Sequence, residues 1–335
     1  MIQRKEDINV LALEEEFYSK PFNFSYSGLN KLLFSPKLFY SHYVLQQKEE
    51  KLDSYLIEGK VIHCLLLDSD NFDRQFVVSP VSLPSDNPKL VVDRVFRYAQ
   101  ENNSLDQELR SFDIIILDIL KEINLHQSLK TDEQRIEKMI TDQTVSYFDF
   151  LKQKGKKDVI DTEMYNQCLD SVQILRQNQE VVKVLDLYRN SGGTVYSEYP
   201  IQIDLPSYPF GLKGILDNIV VNENDKIIVI NDLKTTGKTI ADFAETVEYY
   251  NYWLQAAVYK KLVSTKFAID SSWKVEFNFI VIDKYKQTYV FPVSDETMNK
   301  WYLTGLSNAL LKAKYHYDKR EFSLPYDMAV SKVVL

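Results

Sequence analysis

Cysteine is nearly missing from this chain: of 335 residues only two, Cys64 and Cys168, carry a thiol. One sits in an apolar run and one in a helix-like run, which excludes a disulfide framework and a Cys-ligated zinc or iron–sulfur site. That usage fits a reducing, cytoplasmic setting. No apolar run approaches the ~18 residues of a membrane-spanning helix, and the opening segment Met1 to Asp7 lacks the apolar stretch of a secretory signal. Positive charge is not in excess either, since 40 Lys+Arg against 48 Asp+Glu leave a net charge of −8. Proteins that grip phosphates over a broad surface are usually basic. Any nucleic-acid contact here therefore needs a local channel within an acidic exterior. The basic clusters, Lys152 to Lys157 and the pair Lys31 and Lys37, are modest. Internal repeats and low-complexity tracts are absent. The loop Thr235-Thr-Gly-Lys-Thr239 resembles the end of a phosphate-binding loop, but its leading glycine would fall at 232, which is aspartate; nucleotide binding there is rejected. What remains is an ordinary globular composition, 45% hydrophobic and 26% charged, on a chain long enough for one large or two ordinary domains.

Residues 1–20 read as a polar, acidic arm, and 21–190 as a mostly helical part. Ser27 is the expected N-cap of a helix carrying Leu29, Leu32 and Leu33; Ser35-Pro36 closes it and opens another through Leu38, Phe39 and Tyr43. A buried helix is expected over 55–68 and a short strand over Phe76–Val78. Leu109, Phe112, Ile116, Ile119 and Leu120 keep helical spacing. Helices over Thr162–Arg176 and Glu180–Tyr188 precede a break at Ser191-Gly192-Gly193. From 191 to 322 the pattern turns mixed. Thr194–Asp204 alternates as a strand, and a hairpin follows. Next comes a helix over Ala241–Val263 with Phe243, Val247, Tyr250, Leu254 and Val258 on one stripe. Strands over Lys274–Ile282 and Thr288–Val293 and a last helix from Asp295 to Tyr317 complete the core, leaving 323–335 as a tail. The order predicts an α/β fold, a mixed sheet flanked by helices with a helical N-terminal part.

The hairpin carries the chemistry. Ile219-Val-Val221 and Ile227-Ile-Val-Ile230 are β-branched runs on either side of Asn222-Glu-Asn-Asp225. A turn centred on Asn224-Asp225 makes facing positions sum to 449, which sets Asp217 opposite Asp232 with Cβ atoms roughly 4.5–5.5 Å apart. Lys234, two residues beyond Asp232, shares its face. Two acids and a lysine converging at a strand end form a divalent-metal site beside a cation, a set suited to phosphodiester hydrolysis.

Two further elements flank this hairpin, which reads Gly214-Ile-Leu-Asp217 with Asp232-Leu-Lys234 as D…D-x-K: Gly59-Lys-Val-Ile-His63 as G-x-x-x-H before it and Gln255-Ala-Ala-Val-Tyr259 as Q-x-x-x-Y after it. In this order they resemble the PD-(D/E)XK nucleases of the RecB-like branch, and within it the phage RecE-like exonucleases (exodeoxyribonuclease VIII). Leu216 stands where the name-giving proline would be, a departure common in that branch. The resemblance covers residues 21–80 and 158–322 and leaves 85–157 unplaced. It implies a restriction-endonuclease-like fold using Mg²⁺ or Mn²⁺. The ion would be held by Asp217, Asp232, the Leu233 backbone carbonyl and His63, with Lys234 at the attacking water or the developing charge. Gln255 and Tyr259 would help hold the DNA strand and Lys213 would touch a phosphate. Glu198 would support these ligands or bind a second metal. Read from the residues alone, His63 among Val61, Ile62, Cys64 and Leu65 is a core histidine, and Gln255 and Tyr259 border the core.

The implied activity is exonucleolytic: resection of the 5′ strand of linear double-stranded DNA for a single-strand annealing partner in phage recombination. The enzyme would work as a homo-oligomeric ring without membrane attachment. A structure-specific or single-strand nuclease of repair or defence, and a non-catalytic DNA-binding protein on the same scaffold, are the alternatives.

Overall fold

The hairpin around Asn224-Asp225 lies in the middle of a six-stranded mixed sheet. The computed structural model describes residues 5–47, 54–80 and 82–331, with side chains from residue 10 and, in the segment starting at 54, from residue 56. The ends of the expected arm and tail, 1–4 and 332–335, lie outside the described residues. The chain forms two units, one of Met1–Leu52 with Gln173–Leu335 and one of Asp53–Val172. This division departs from the expected boundary at 190. The early segment belongs with the sheet because its strand β1 (Asn23–Phe24) pairs parallel with β5 (Gly211–Asn222).

The remaining strands are β2 (Phe76–Val78), β3 (Asp158–Ile160), β4 (Thr194–Asp204), β6 (Ile227–Thr236), β7 (Lys274–Asp283) and β8 (Thr288–Pro292). In the larger unit β5 is the hub. One edge takes β4, antiparallel from Gly211 to Val221. The other edge is shared, by β1 at Gly211–Leu212 and by β6 at Asn218–Asn222. Beyond Asn231, β6 runs on along β7 in parallel, as far as Thr236, and β8 closes the sheet antiparallel to β7. The sheet therefore forks between β5 and β6.

The hairpin register is the expected one: Asn218 faces Asn231 and Asn222 faces Ile227. Asn222 shapes the turn, its Oδ1 accepting from Asp225 N–H at 3.1 Å and its Nδ2 donating to Asp225 at 2.7 Å, the local bonding that makes Asn a turn residue. The helix Tyr252–Lys266 packs on one face through Leu254, Ala257, Val258 and Leu262, all fully buried. The helix Gln179–Leu185 covers the other, as its bonds to the strands show below. Phe24, Phe39 and Phe210 fill one end of the core, with Phe24 and Phe39 stacked at 5.4 Å.

Three expectations need correction. The N-cap of the helix Tyr26–Phe34 is Ser25, extended in backbone and accepting from Gly28 N–H at 3.1 Å, and not Ser27. The single helix expected over Ala241–Val263 is two, Phe243–Tyr249 and Tyr252–Lys266, separated by Asn251 in the left-handed region at φ +56°. Asparagine tolerates that conformation better than most residues, and here its side chain is held from both sides by Asn30 (2.8 Å) and Trp253 (2.9 Å). The break turns Tyr250 out of its expected core stripe, to 46% exposure. The last helix, Asp295 to Lys319, holds a π-helical stretch over Lys300–Leu306. Gly305 there lies so close to the Trp253 ring that a Cβ could not fit without movement.

The smaller unit accommodates the unplaced segment 85–157. Its helices Asp86–Glu101, Asp113–Glu122 and Asp142–Lys154 bury Val92, Val95, Ile116, Leu120 and Phe148 in a core of their own. A capping box joins Thr131 and Gln134 at the start of Asp132–Met139, satisfying two N-terminal donors. The parallel pair β2 and β3 lies in the same unit. Among the described residues no helix is long and apolar enough to cross a membrane.

Candidate active site at a fork in the sheet

The fork puts Asp217 and Asp232 on two separating strands. Their register is the expected one, but they sit one step past the last β5–β6 pair, Asn218 with Asn231. A continued ladder would satisfy the Leu233 N–H from β5 backbone. Instead the Asp217 side chain takes it, Oδ2 accepting from Leu233 N at 2.7 Å. In an extended strand the N–H and C=O of one residue point to the same edge. The Leu233 carbonyl therefore also points toward β5 and Asp217.

Asp232 is fully buried and held from both sides. Its Oδ1 accepts from Gln255 Nε2 at 2.8 Å, and its Oδ2 lies 2.5 Å from Lys234 Nζ. Lys234, with a side chain 15% exposed, also stands 4.7 Å from the centre of the Tyr252 ring. Burial by itself lowers its pKa, but the carboxylates of Asp232 and Asp217 outweigh that and raise it above 10.5. The lysine is therefore a cation at neutral pH, a donor and not a base.

Gln255 and Tyr259, one helical turn apart, brace the fork from behind. Gln255 Nε2 also donates to the Tyr259 hydroxyl (3.1 Å), which donates to the Ile215 carbonyl (2.9 Å) on the β5 edge between β1 and β6. Burial, then the charges of Asp217 and Asp232, push the Tyr259 phenol well above 10 and keep its proton in place. Both residues are 7% exposed. Their polar groups serve the acids and the strand. Gln255 Oε1 is buried with no hydrogen-bond partner among the described residues, an acceptor open to a water or a substrate group. Gly214 makes the close packing possible, since a Cβ there would lie 3.0 Å from both Tyr259 Cε1 and Leu262 Cδ1.

Glu198 stands across from Asp217 on β4. The ladder pairs Ser197 with Asn218 and Tyr199 with Leu216 but skips the pair between them. Glu198 has φ +46°, a left-handed conformation that costs about 1–3 kcal/mol for such a residue and clusters at functional sites. An oxygen of Glu198 and one of Asp217 lie within 4.8 Å of each other. Lys213 is exposed on β5, four residues before Asp217. His63 belongs to the other unit, half-buried on the helix Ser54–Leu67.

One element of the site had no signal in the residue pattern. Asn218, Asn231 and Asn278 form a buried ladder across β5, β6 and β7: Asn278 Nδ2 donates to Asn231 Oδ1 (2.9 Å), and Asn231 Nδ2 to Asn218 Oδ1 (2.7 Å). Asn231 and Asn218 also donate to the Val184 and Leu185 carbonyls, tying on the helix Gln179–Leu185. Each is next in sequence to an aspartate of the fork, on the opposite sheet face. A slip by one residue would bury unpaired amides, so the ladder pins the register that positions the acids.

Hard oxygen donors at the mouth of a forked mixed sheet, with a buried lysine beside them, define a hydrolytic centre of the kind that works on phosphate esters. The comparison with protein families agrees: the chain belongs to the PD-(D/E)XK nuclease superfamily, whose profile matches residues 23–304. Members of that superfamily use divalent metals, and the Glu198 and Asp217 oxygens are the donor type such ions prefer. Among curated proteins none matches the sequence. A solved structure from Eubacterium rectale, described as a proposed exonuclease, is 13% identical over 94% of this chain and 87% of its own, with a TM-score of 0.44. Likeness at that level carries no argument.

Proposed function

We propose that the protein is a metal-dependent exodeoxyribonuclease acting on linear double-stranded DNA. The observation that carries this reading is the Asp232–Lys234 ion pair at the fork, facing an Asp217 whose oxygen lies near that of Glu198. Asp217, Asp232 and Glu198 would hold Mg²⁺ or Mn²⁺ together with the Leu233 carbonyl and His63. When bound, such an ion polarises the phosphate and acidifies a bound water. Lys234, fixed as a cation, donates to the attacking water or to the charge that develops on the phosphoryl oxygens. Gln255 and Tyr259 act as positioning residues, holding Asp232 and the β5 strand in place, and Lys213 contacts a substrate phosphate. The RecE-like resemblance adds 5′-strand resection in a ring-shaped oligomer that serves a single-strand annealing protein. An acidic exterior around a basic channel accords with the net charge of −8.

The test compares a 5′-labelled linear duplex with a covalently closed circle, each with Mg²⁺ or Mn²⁺. Degradation of the linear form alone is expected. Equal attack on both removes the exonuclease claim, and no cleavage of either with any divalent ion removes the nuclease claim. Flapped and single-stranded substrates sort out the remaining alternatives, and the mass in solution tests the ring.

A further inference from the structure

A run of tyrosines leads from the acid pair to solvent; Tyr252 at its inner end packs on the core against Phe243 and Phe279, but neither the hydrolytic step nor the core accounts for Tyr250 and Tyr249. Lys234 Nζ stands over Tyr252, and the Tyr252 ring stacks on Tyr250 with centroids 5.5 Å apart and planes at 25°. Tyr250 meets Tyr249 edge-on at 4.9 Å, and Lys238 Nζ lies 5.5 Å from the Tyr249 ring. Exposure rises outward, from half-buried Tyr252 through 46% at Tyr250 to 75% at Tyr249. Adjoining exposed aromatic rings mark an interaction site more often than isolated ones do.

The corner that presents them is stiff. The Tyr250 carbonyl accepts from Tyr26 Oη at 2.5 Å and from Asn30 Nδ2 at 3.3 Å, and the Asn30 side chain is also bonded to Asn251. A surface held this way loses little further freedom when a ligand lands on it.

We propose that Tyr252, Tyr250 and Tyr249, with Lys234 and Lys238 at the two ends, form a stacking track for the unpaired end of a DNA strand. The track carries that strand into or out of the acid centre, and it rests on the nuclease reading above. Ring faces match bases that are out of a duplex, because every base has a π-face and a paired one keeps it covered. The same short helix, Phe243–Tyr249, also exposes Glu245 and Glu248. Those charges repel phosphates, so affinity comes from stacking and depends only weakly on salt.

The experiment uses the full chain in EDTA, which separates binding from cleavage. Anisotropy of a labelled oligothymidine and of a blunt duplex is read at low and moderate salt. The double variant Tyr249→Ala/Tyr250→Ala is expected to weaken oligothymidine binding by about tenfold or more through lost base stacking. Tyr249→Phe/Tyr250→Phe is expected to keep the affinity, and duplex binding is expected to stay unchanged in both. Unaltered oligothymidine affinity in the alanine variant overturns the track. So does an equal loss for duplex, absence of oligothymidine binding by the wild type, or a change in oligomeric mass with no change in binding. Failure of the nuclease reading shows separately: a wild type that binds oligothymidine through these rings and cuts nothing with Mg²⁺ or Mn²⁺ keeps the stacking surface and loses the enzyme.

Discussion

Replacing Lys234 by methionine removes the cation from a fully buried carboxylate while keeping most of the side-chain volume. Asp232 is 0% exposed and its other oxygen is already taken by Gln255, so no compensating solvent reaches it. Breaking a buried pair by deleting one partner costs about 3–5 kcal/mol. For a unit of this size that is a fall of roughly 6–20 °C in Tm, at roughly 2–4 °C per kcal/mol. Thermal unfolding in EDTA is the assay. The companion is Asp232→Asn/Lys234→Met, in which a neutral amide still accepts from Gln255; it should recover most of the loss and remain inactive. The sign of the pH dependence follows from the raised lysine pKa. The stabilisation is complete below 10.5 and disappears only as pH climbs through the folded value. A Lys234→Met protein with wild-type Tm refutes the argument, since the lysine would then not be neutralising a buried charge. A double variant no more stable than the single one refutes it equally.

Other outcomes follow from the same geometry. Asn231→Leu strips partners from Asn218, Asn278 and Val184, at about 1–3 kcal/mol for each group left unsatisfied; urea unfolding should show the loss, and half-maximal activity should need more metal because Asp232 is the next residue. Gly211→Ala drives a Cβ into the Ile203 carbonyl and the Asn23 side chain, whereas Gly214→Ala meets only the side-chain ends of Leu262 and Tyr259. The first should lower Tm more than the second, and the reverse order would contradict the packing. His316, 1% exposed, has its pKa lowered below 6.5 by burial, against the partly offsetting Glu321. Its contribution is complete above 6.5 and lost as pH falls through the folded value, so Tm should drop on acidification and His316→Asn should flatten that part of the curve.

Much of the site was readable along the chain because it depends on local periodicity. Alternation places Lys234 on the face of Asp232, and the Asn-rich turn sets the sum of 449 that the ladder keeps from Asn218–Asn231 to Asn222–Ile227. Helical spacing puts Gln255 and Tyr259 on one side, where they bond to each other. The helix break at Asn251 escaped the same reasoning, because the stripe through Phe243, Val247 and Tyr250 keeps its period up to the residue where the chain turns. The clamp that holds that turn comes from Asn30, more than two hundred residues away, and no local pattern contains it.

The one-dimensional order of residues thus determined that the two strands of the hairpin pair, in what register, and which acids and lysine share a face, since these follow from side-chain alternation and turn chemistry between neighbours. Only the tertiary structure decided that β6 would leave β5 for β7 beyond Asn231. The same holds for Glu198, which adopts a left-handed backbone opposite Asp217, and for the Gln255–Tyr259 pair, which turns inward to brace the fork. Each of those outcomes is a competition between distant partners for the same hydrogen-bonding groups, and that competition is settled by packing across the whole sheet.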